Sequence, residues 1–203
     1  MKIFNLKKKI GDFLLDINEM DIPLGKIYGI VGENGCGKTT TMKIIAKVTE
    51  ADSGYIDYEG LTERDMTMVF RKPYLMRDTV IKNLLYPLKL RKVKPDMQKV
   101  EHFLEIAGLQ NIRDKYAPGL SGGQQQKLAM IRAMIFSPKL VLIDESFSNL
   151  DSKSVDVFEQ LVLEMHRLES MTFIICSHQQ AQIERLCGDV FTMESGRVVC
   201  QTL

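Results

Sequence analysis

The segment from Gly32 to Thr39 has the composition of a phosphate-binding loop. Its sequence, Gly-Glu-Asn-Gly-Cys-Gly-Lys-Thr, fits the pattern Gly-x-x-x-x-Gly-Lys-Thr. The glycines let backbone N–H groups close around phosphates, and Lys38 neutralises the β and γ oxygens. The Thr39 hydroxyl can ligate Mg²⁺. The loop therefore predicts a site for a nucleoside triphosphate.

A second phosphate contact is indicated by Leu120 to Gln124, which has the sequence Leu-Ser-Gly-Gly-Gln. The two glycines after Ser121 leave backbone N–H groups and a hydroxyl available, and Gln124 begins a helical pattern whose N-terminus favours an anion. One complete phosphate cradle already exists at residues 32–39. If one chain cannot bring both segments to the same nucleotide, the two segments could come from two chains that share it.

Two carboxylates follow the apolar segment Leu140 to Ile143. If this segment is a buried parallel strand, Asp144 and Glu145 lie at the carboxyl edge of the sheet, where ligands bind. Asp144 would then hold Mg²⁺. Glu145 would be free to polarise a water molecule aimed at the γ-phosphate, a general-base contribution of about 10² to 10⁴ in rate.

The elements that position these residues alternate between strand and helix. An apolar strand, Ile27 to Val31, leads into the phosphate loop, and a helix follows from Thr39 to Val48. Early antiparallel strands are indicated before it, and Gly54 to Tyr58 suggests a hairpin. Beyond Pro138, strand and helix patterns alternate again, which predicts a parallel sheet covered on both faces.

The stretch from Arg71 to about Phe136 has a helical pattern and no obvious strand. Met97, Val100, Leu104 and Ala107 form its clearest apolar stripe. We therefore expect one domain over residues 1–203, divided at residues 70 and 136. Its parts are a β subdomain with the phosphate loop, a helical subdomain and the remainder of an α/β core.

Composition excludes several classes of protein. The 203 residues carry a net charge of +1, so the chain as a whole offers no electrostatic case for binding nucleic acid. The four cysteines form no Cys-x-x-Cys pair, which favours a reduced cytosolic compartment. No signal peptide and no apolar stretch of about 18 residues is present. We expect a soluble chain.

Taken together, these motifs resemble those of the ATP-binding cassettes of the ABC superfamily. The phosphate loop, the Leu-Ser-Gly-Gly-Gln signature and the acidic strand end are followed by Ser148 to Asp151 in the place of the D-loop and by Ser177-His178 at the switch-histidine position. The resemblance implies an α/β fold, namely a P-loop NTPase (RecA-like) core with an N-terminal antiparallel β subdomain and an inserted α-helical subdomain.

The resemblance also implies ATP and Mg²⁺ as ligands and a role for each motif. His178 would contact the γ-phosphate, and Asp151 would couple two nucleotide sites. Catalysis would fall to Lys38, Glu145 and His178, and Mg²⁺ to Thr39 and Asp144. The nucleotide contacts would be Gly32, Asn34, Gly35, Cys36, Gly37, Lys38, Thr39, Thr40, Arg71, Ser121, Gly122, Gly123, Gln124 and Asp151.

The partners implied by the resemblance are a second cassette and membrane proteins. A second copy of the chain, or a homologous cassette, would close head to tail over the ATP through Ser121, Gly122 and Gly123. Transmembrane permease subunits would hold the pair on the inner face of the cell membrane. The apolar segment Tyr74 to Tyr86 would contact a permease, or would be core of the helical subdomain.

Arg71 departs from the family pattern, which usually has a glutamine at this position to touch Mg²⁺ and the attacking water. Arginine has donors and no acceptor, so it cannot ligate a cation. It could contact the γ-phosphate, pair with an acid or extend into solvent. The aromatic residue that stacks on adenine is also open, because Phe13 and Phe4 are both candidates and either could belong to the core.

The leading function is therefore the ATP-hydrolysing subunit of an ABC transporter. Two alternatives stay open. The first is a nucleotide-dependent regulatory or binding module with weak turnover, because of Arg71. The second is a soluble ABC ATPase of DNA repair or translation, although the chain has a single cassette, no coiled-coil insertion and a near-neutral charge.

Overall fold

The computed structural model describes residues 1–148 and 150–202, with the backbone alone at 201 and 202. Asn149, predicted in the D-loop, lies outside the described residues, as does Leu203. The strands are β1 (Lys2–Ile10), β2 (Phe13–Asp21), β3 (Ile27–Gly32), β4 (Ser53–Asp57), β5 (Met66–Val69), β6 (Leu140–Asp144), β7 (Thr172–Cys176), β8 (Asp189–Glu194) and β9 (Arg197–Thr202). The helices are α1 (Lys38–Ile45), α2 (Val80–Arg91), α3 (Met97–Ile106), α4 (Gly122–Met134), α5 (Ser152–Glu169) and α6 (Gln180–Leu186).

The larger sheet is mostly parallel. Within the described residues it has six strands in the order β5-β6-β7-β3-β8-β9, and only its last pair, β8 and β9, is antiparallel. Every residue of β6 and β7 is buried, as expected of central strands with helices on both faces. Along β6, Val141 and Ile143 join the core beneath the helical block, whereas Leu140 and Leu142 join the core beneath β1 and β2. The predicted parallel core is confirmed.

The smaller sheet is antiparallel and has the order β2-β1-β4 among the described residues. The hairpin expected at Gly54 to Tyr58 is wrong, because β4 pairs with β1, for example through Ile3 and Ile56. A Cβ on Gly54 would lie 2.3 Å from the Asn5 carbonyl oxygen, so this glycine permits close pairing of strands. The chain then turns through Glu63–Asp65 into β5 of the other sheet.

The block between β5 and β6 is helical only from Val80 onward. Residues 71–79 are irregular, and Thr79 caps α2 by accepting a hydrogen bond from the Lys82 N–H at 3.4 Å. In the predicted stripe of α3, Val100, Leu104 and Ala107 are buried, but Met97 at the first position of the helix is 46% exposed. No helix in the described part of the chain is long and apolar enough to cross a bilayer.

Candidate nucleotide-binding site

The phosphate loop, Asp144 and the residues predicted around the γ-phosphate, Arg71, Glu145 and His178, lie at the carboxyl edge of the parallel sheet. Val69 of β5 pairs with Ile143 of β6, which in turn pairs with Ile175 of β7. This register places the residues that follow the three strands side by side. The next strand in the sheet, β3, ends in the phosphate loop.

The phosphate loop leads directly into α1, whose first residue is Lys38. Gly37 caps the helix with φ 110°, and a Cβ there would lie 2.8 Å from Leu15 Cδ1. Gly32 has φ 147°, and a Cβ on it would lie 2.2 Å from the Met193 carbonyl oxygen. Both positions therefore exclude a side chain. The first N–H groups of an α-helix have no partner within the helix, so the start of α1 can bind an anion.

Lys38 is held inside this loop. Its side-chain ammonium donates hydrogen bonds to the carbonyl oxygens of Gly32 and Glu33, both at 2.8 Å, and only 5% of the residue is exposed. Cys36 is equally buried, and its Sγ is 3.9 Å from Lys38 Nζ. Lys38 therefore places a desolvated positive charge within the backbone loop, as phosphate binding requires.

Thr39 and Asp144 form the predicted pair of Mg²⁺ ligands. The Thr39 hydroxyl donates a hydrogen bond to Asp144 Oδ1 at 3.0 Å, across the gap between α1 and β6. Burial raises the pKa of Asp144 above its usual value, and the hydrogen bond from Thr39 offsets only part of this effect. A hydroxyl and a buried carboxylate in contact, beside a phosphate loop, fit the hard oxygen ligands that Mg²⁺ prefers.

Glu145 lies between two basic side chains. Arg71 Nη1 is 3.0 Å from Glu145 Oε2, and His178 Nε2 forms an ion-pair contact with Oε1. The backbone of Glu145 is left-handed, with φ 48°, and its N–H donates to the Cys176 carbonyl oxygen at 3.0 Å. The sheet therefore holds Glu145 in a conformation that costs about 1 kcal/mol or more. Three alternatives were considered for Arg71, and in this structure it pairs with an acidic residue, Glu145.

A cleft of 310 Å³ opens beside the loop and is lined by Phe13, Ile10 and Glu145 as well as by loop residues. The loop residues are Asn34, Gly35, Gly37, Lys38, Thr39 and Thr40. A neighbouring cleft of 690 Å³ also contains Phe13 in its wall. The ring of Phe4, by contrast, packs on Tyr55 with centroids 5.1 Å apart. Of the two aromatic candidates, only Phe13 lines these clefts.

The signature residues surround the N-terminus of α4, away from their own chain's phosphate loop. Among the described residues, none of 120–124 lines either cleft. Ser121 Oγ accepts a hydrogen bond from the Gln124 N–H at 3.3 Å, and Gln124 Oε1 accepts from the Ser121 N–H at 3.1 Å. This capping box uses the side-chain oxygens of both residues as acceptors. Ser121 and Gly122 remain exposed to solvent.

Asp151 caps α5 within its own chain. Its carboxylate accepts hydrogen bonds from the Ser154 N–H at 2.9 Å and the Ser154 hydroxyl at 2.7 Å, and these bonds lower its pKa. Lys127 of the signature helix lies 3.8 Å from the same carboxylate. Two thirds of the Asp151 side chain remains exposed. The cap leaves Asp151 accessible to a second subunit.

Sequence reasoning missed the polar residues that connect α4 to the loop after β5. Gln126 is fully buried and donates a hydrogen bond to the Phe70 carbonyl oxygen at 3.3 Å. Arg132 donates to the Tyr74 carbonyl oxygen at 2.7 Å. A polar residue in an amphipathic helix is a weak indication of a buried hydrogen bond, because most polar residues in such helices face solvent.

Beside this loop lies a groove of 540 Å³, whose wall includes Phe70, Tyr74, Tyr86, Arg132 and Phe136. Tyr74 is 79% exposed and Tyr86 41%, whereas Leu84 is fully buried. The apolar segment Tyr74 to Tyr86 is thus divided between the core and the surface, and its contact with a permease stays a prediction. Part of it is core of the helical block, and part forms an exposed apolar wall.

A family model described as "ABC transporter" matches residues 15–148. The chain belongs to the ABC transporter family. It is 36% identical over 203 residues to the tungstate uptake system ATP-binding protein TupC of Peptoclostridium acidaminophilum, covering 97% of this chain and 95% of that protein. It is 31% identical to the probable sulfate/thiosulfate import ATP-binding protein CysA of Chlorella vulgaris, covering 97% and 88%.

Solved structures agree with this assignment. The ATP-binding subunit of an ABC transporter superposes with a TM-score of 0.90 over 99% of this chain and 88% of that one, and its 21% identity shows the fold alone. A dimeric ATP-binding cassette in a post-hydrolysis state, bound to ADP and Pi, has a TM-score of 0.85 at 25% identity over 99% and 97%. The expected fold class and the expected function, an ATP-binding and ATP-hydrolysing ABC transporter subunit, are confirmed.

Proposed function

We propose that Glu145 is the general base of ATP hydrolysis in this ABC transporter subunit. The observation that carries the proposal is the position of its carboxylate, which lines the same cleft as Lys38 and Thr39 at the edge of the sheet. A base there faces the place where the phosphate loop would hold the terminal phosphate. His178 contacts the other side of the carboxylate and orients it.

The remaining residues of the loop bind and orient the phosphates. The N–H groups at the start of α1 and the ammonium of Lys38 would attract the phosphate oxygens of ATP, in a pocket where burial strengthens electrostatic interactions. Thr39 and Asp144 would hold Mg²⁺, which neutralises charge on the phosphates when bound. Phe13 and Ile10, which line the same cleft, would contact the adenine ring of ATP.

The signature segment would complete the site of a second copy of the chain or of a homologous cassette. Two features support this proposal. Ser121 and Gly122 are exposed at the start of α4, and among the described residues the segment does not line the clefts of its own chain. In a head-to-tail pair, residues 121–124 of each copy would cover the ATP held by the other, and Asp151 would lie in the interface.

The groove beside Tyr74 and Tyr86 would receive a permease subunit. An exposed apolar wall of this kind is typical of protein interfaces. With a permease bound there, the cassette pair would lie in the cytoplasm, peripherally on the inner face of the cell membrane. Residues 1–203 would act as one cassette domain, in which the block 71–136 contacts both the permease and the partner's nucleotide.

The general base is tested by Glu145→Gln. We expect phosphate release by the purified subunit to fall by about 10² to 10⁴, because the amide cannot accept the proton of water. Binding of a fluorescent ATP analogue should be retained, since the phosphate contacts are unchanged. Glu50→Gln, at an exposed position, provides the matched control and should leave both properties unchanged. Normal phosphate release by Glu145→Gln would refute the assignment.

The relatives also suggest a cargo. The similarity to tungstate and sulfate/thiosulfate subunits supports import of a tetrahedral oxyanion. The test is to delete the gene in its own host and measure uptake of labelled tungstate, sulfate and methionine. Methionine provides the contrast, because methionine importers match this chain at 31% identity. Loss of tungstate or sulfate uptake alone would support the proposal, and loss of methionine uptake alone would contradict it.

A further inference from the structure

Arg71 and Glu145 occupy equivalent positions after neighbouring strands. Val69 and Ile143 are paired in register, and Arg71 and Glu145 each follow two residues later. The guanidinium therefore reaches the carboxylate from the side of β5, while His178 reaches it from the side of β7. Each oxygen of the carboxylate faces a different basic side chain.

The contact made by Arg71 is of a kind that another anion can displace. Oε2 of Glu145 is buried and makes no hydrogen bond, although the guanidinium nitrogen is 3.0 Å away, so the attraction is mainly one of charge. The Arg71 side chain is 66% exposed, whereas that of Glu145 is 10% exposed. Water and salt weaken such a pair. Phosphate oxygens bind guanidinium strongly, often through two hydrogen bonds.

A carboxylate in this arrangement is poorly placed to act as a base. It must accept a hydrogen bond from the attacking water, and here the Arg71 guanidinium faces one oxygen and the His178 ring contacts the other. Arginine has no acceptor, so Arg71 cannot itself receive the proton or ligate Mg²⁺. Its effect on hydrolysis is therefore indirect, through the groups that it contacts, and Glu145 is one of them.

We propose that Arg71 is a positioning residue that keeps Glu145 away from the attacking water until the γ-phosphate of ATP attracts the guanidinium. The inference rests on the proposed role of Glu145 as general base. Its consequence is that, even with ATP bound, turnover is limited by the fraction of subunits in which Arg71 still contacts Glu145. Glutamine in place of Arg71 would remove the cation and release the carboxylate.

The experiment compares Arg71→Gln, Arg71→Lys and Lys72→Gln in the purified subunit. We expect Arg71→Gln to raise kcat by about two- to fivefold, the range of a partly exposed ion pair, with KM for ATP changed by less than about twofold. Arg71→Lys keeps a cation and should stay near the wild-type rate. Lys72→Gln removes an exposed charge from the next position and should change neither constant.

A measurement without turnover tests the contact itself. Thermal unfolding of the nucleotide-free wild type, Arg71→Gln, Glu145→Gln and the double variant forms a cycle. The change in Tm caused by Arg71→Gln should be smaller when Glu145 is already glutamine, because the two side chains are in contact. An equal change in Tm in the wild-type and Glu145→Gln backgrounds would show that Arg71 and Glu145 do not interact, and would overturn the inference.

Two outcomes separate this inference from the proposed function. A rate of Arg71→Gln at or below wild type, in a protein that Glu145→Gln inactivates, would overturn the role of Arg71 alone. Unchanged turnover in Glu145→Gln would overturn the general base and, with it, the inference. An increase caused equally by Lys72→Gln would show a general charge effect and would also overturn the role of Arg71.

Discussion

Phe13 lies beside the phosphate loop. Its Cζ would lie 3.1 Å from a Cβ at Gly37, and the side chain is half-buried in the wall of both clefts. It begins β2, directly after the turn at Gly11-Asp12. An aromatic ring in this place can pack on the base of ATP without altering the phosphate contacts.

We expect Phe13→Ala to weaken binding of ATP by about three- to tenfold, because a ring contact contributes roughly 0.5–1.5 kcal/mol. Titration of the purified subunit with a fluorescent ATP analogue measures the change. Phe4→Ala removes a ring that packs on Tyr55 and should leave the affinity unchanged. Equal affinities of Phe13→Ala and wild type would exclude Phe13 as the base contact.

Individual site residues could be predicted where the residue types and their spacing indicated the same function. The phosphate loop and the pair Asp144-Glu145 were predicted from their types and from the elements around them. The partner of Arg71 was not predictable, because three alternatives fitted an arginine at that position. Choosing among them required the register of β5 and β6, which no local pattern contains.

Asn83 connects α2 to the loop that follows β5. It is fully buried, accepts a hydrogen bond from the Met76 N–H at 2.8 Å and donates to the carbonyl oxygens of Met76, Asp78 and Thr79. Arg132 of α4 donates to the same side-chain oxygen at 3.3 Å. One amide therefore fixes the loop that carries Tyr74 against two helices.

We expect Asn83→Ala to lower the free energy of unfolding by about 1–3 kcal/mol, because buried backbone groups lose their partners. Chemical denaturation of the purified subunit measures the loss. Asn111→Ala, at an exposed position, is the control and should change stability by less than about 0.5 kcal/mol. Unaltered stability of Asn83→Ala would show that water replaces these hydrogen bonds.

The observed secondary structure agrees with the prediction where the hydrophobic pattern of the sequence is strong. The buried strand β6 lies close to its predicted bounds, Leu140 to Ile143, and strand and helix alternate beyond Pro138 as predicted. The error at β4 arose because a glycine followed by a turn favours a hairpin locally, whereas the actual partner, β1, is some fifty residues earlier. The segment 71–79 was predicted as part of the helical block because it has no obvious strand pattern. In the structure it is irregular, and Asn83 of α2 and Arg132 of α4 hold it by hydrogen bonds.

At the scale of the whole molecule, the proposed interface of the signature residues 121–124 can be tested by Ser121→Arg. A bulky cation at the exposed start of α4 should block closure over a partner's ATP, while the monomer still binds nucleotide through its own loop. Light scattering with ATP in the Glu145→Gln background would measure dimerisation. Asn111→Arg, elsewhere on the helical block, should dimerise normally. Dimers of Ser121→Arg would contradict the proposed interface.

The separation of the signature from its own chain's clefts has a consequence for turnover in dilute solution. If each nucleotide needs a segment of another molecule, the rate per subunit depends on how often two subunits meet. A permease that holds one cassette on each half would raise their effective concentration to the millimolar range typical of short tethers. The membrane partner would then set the ATPase rate through geometry alone, before any change of shape is transmitted.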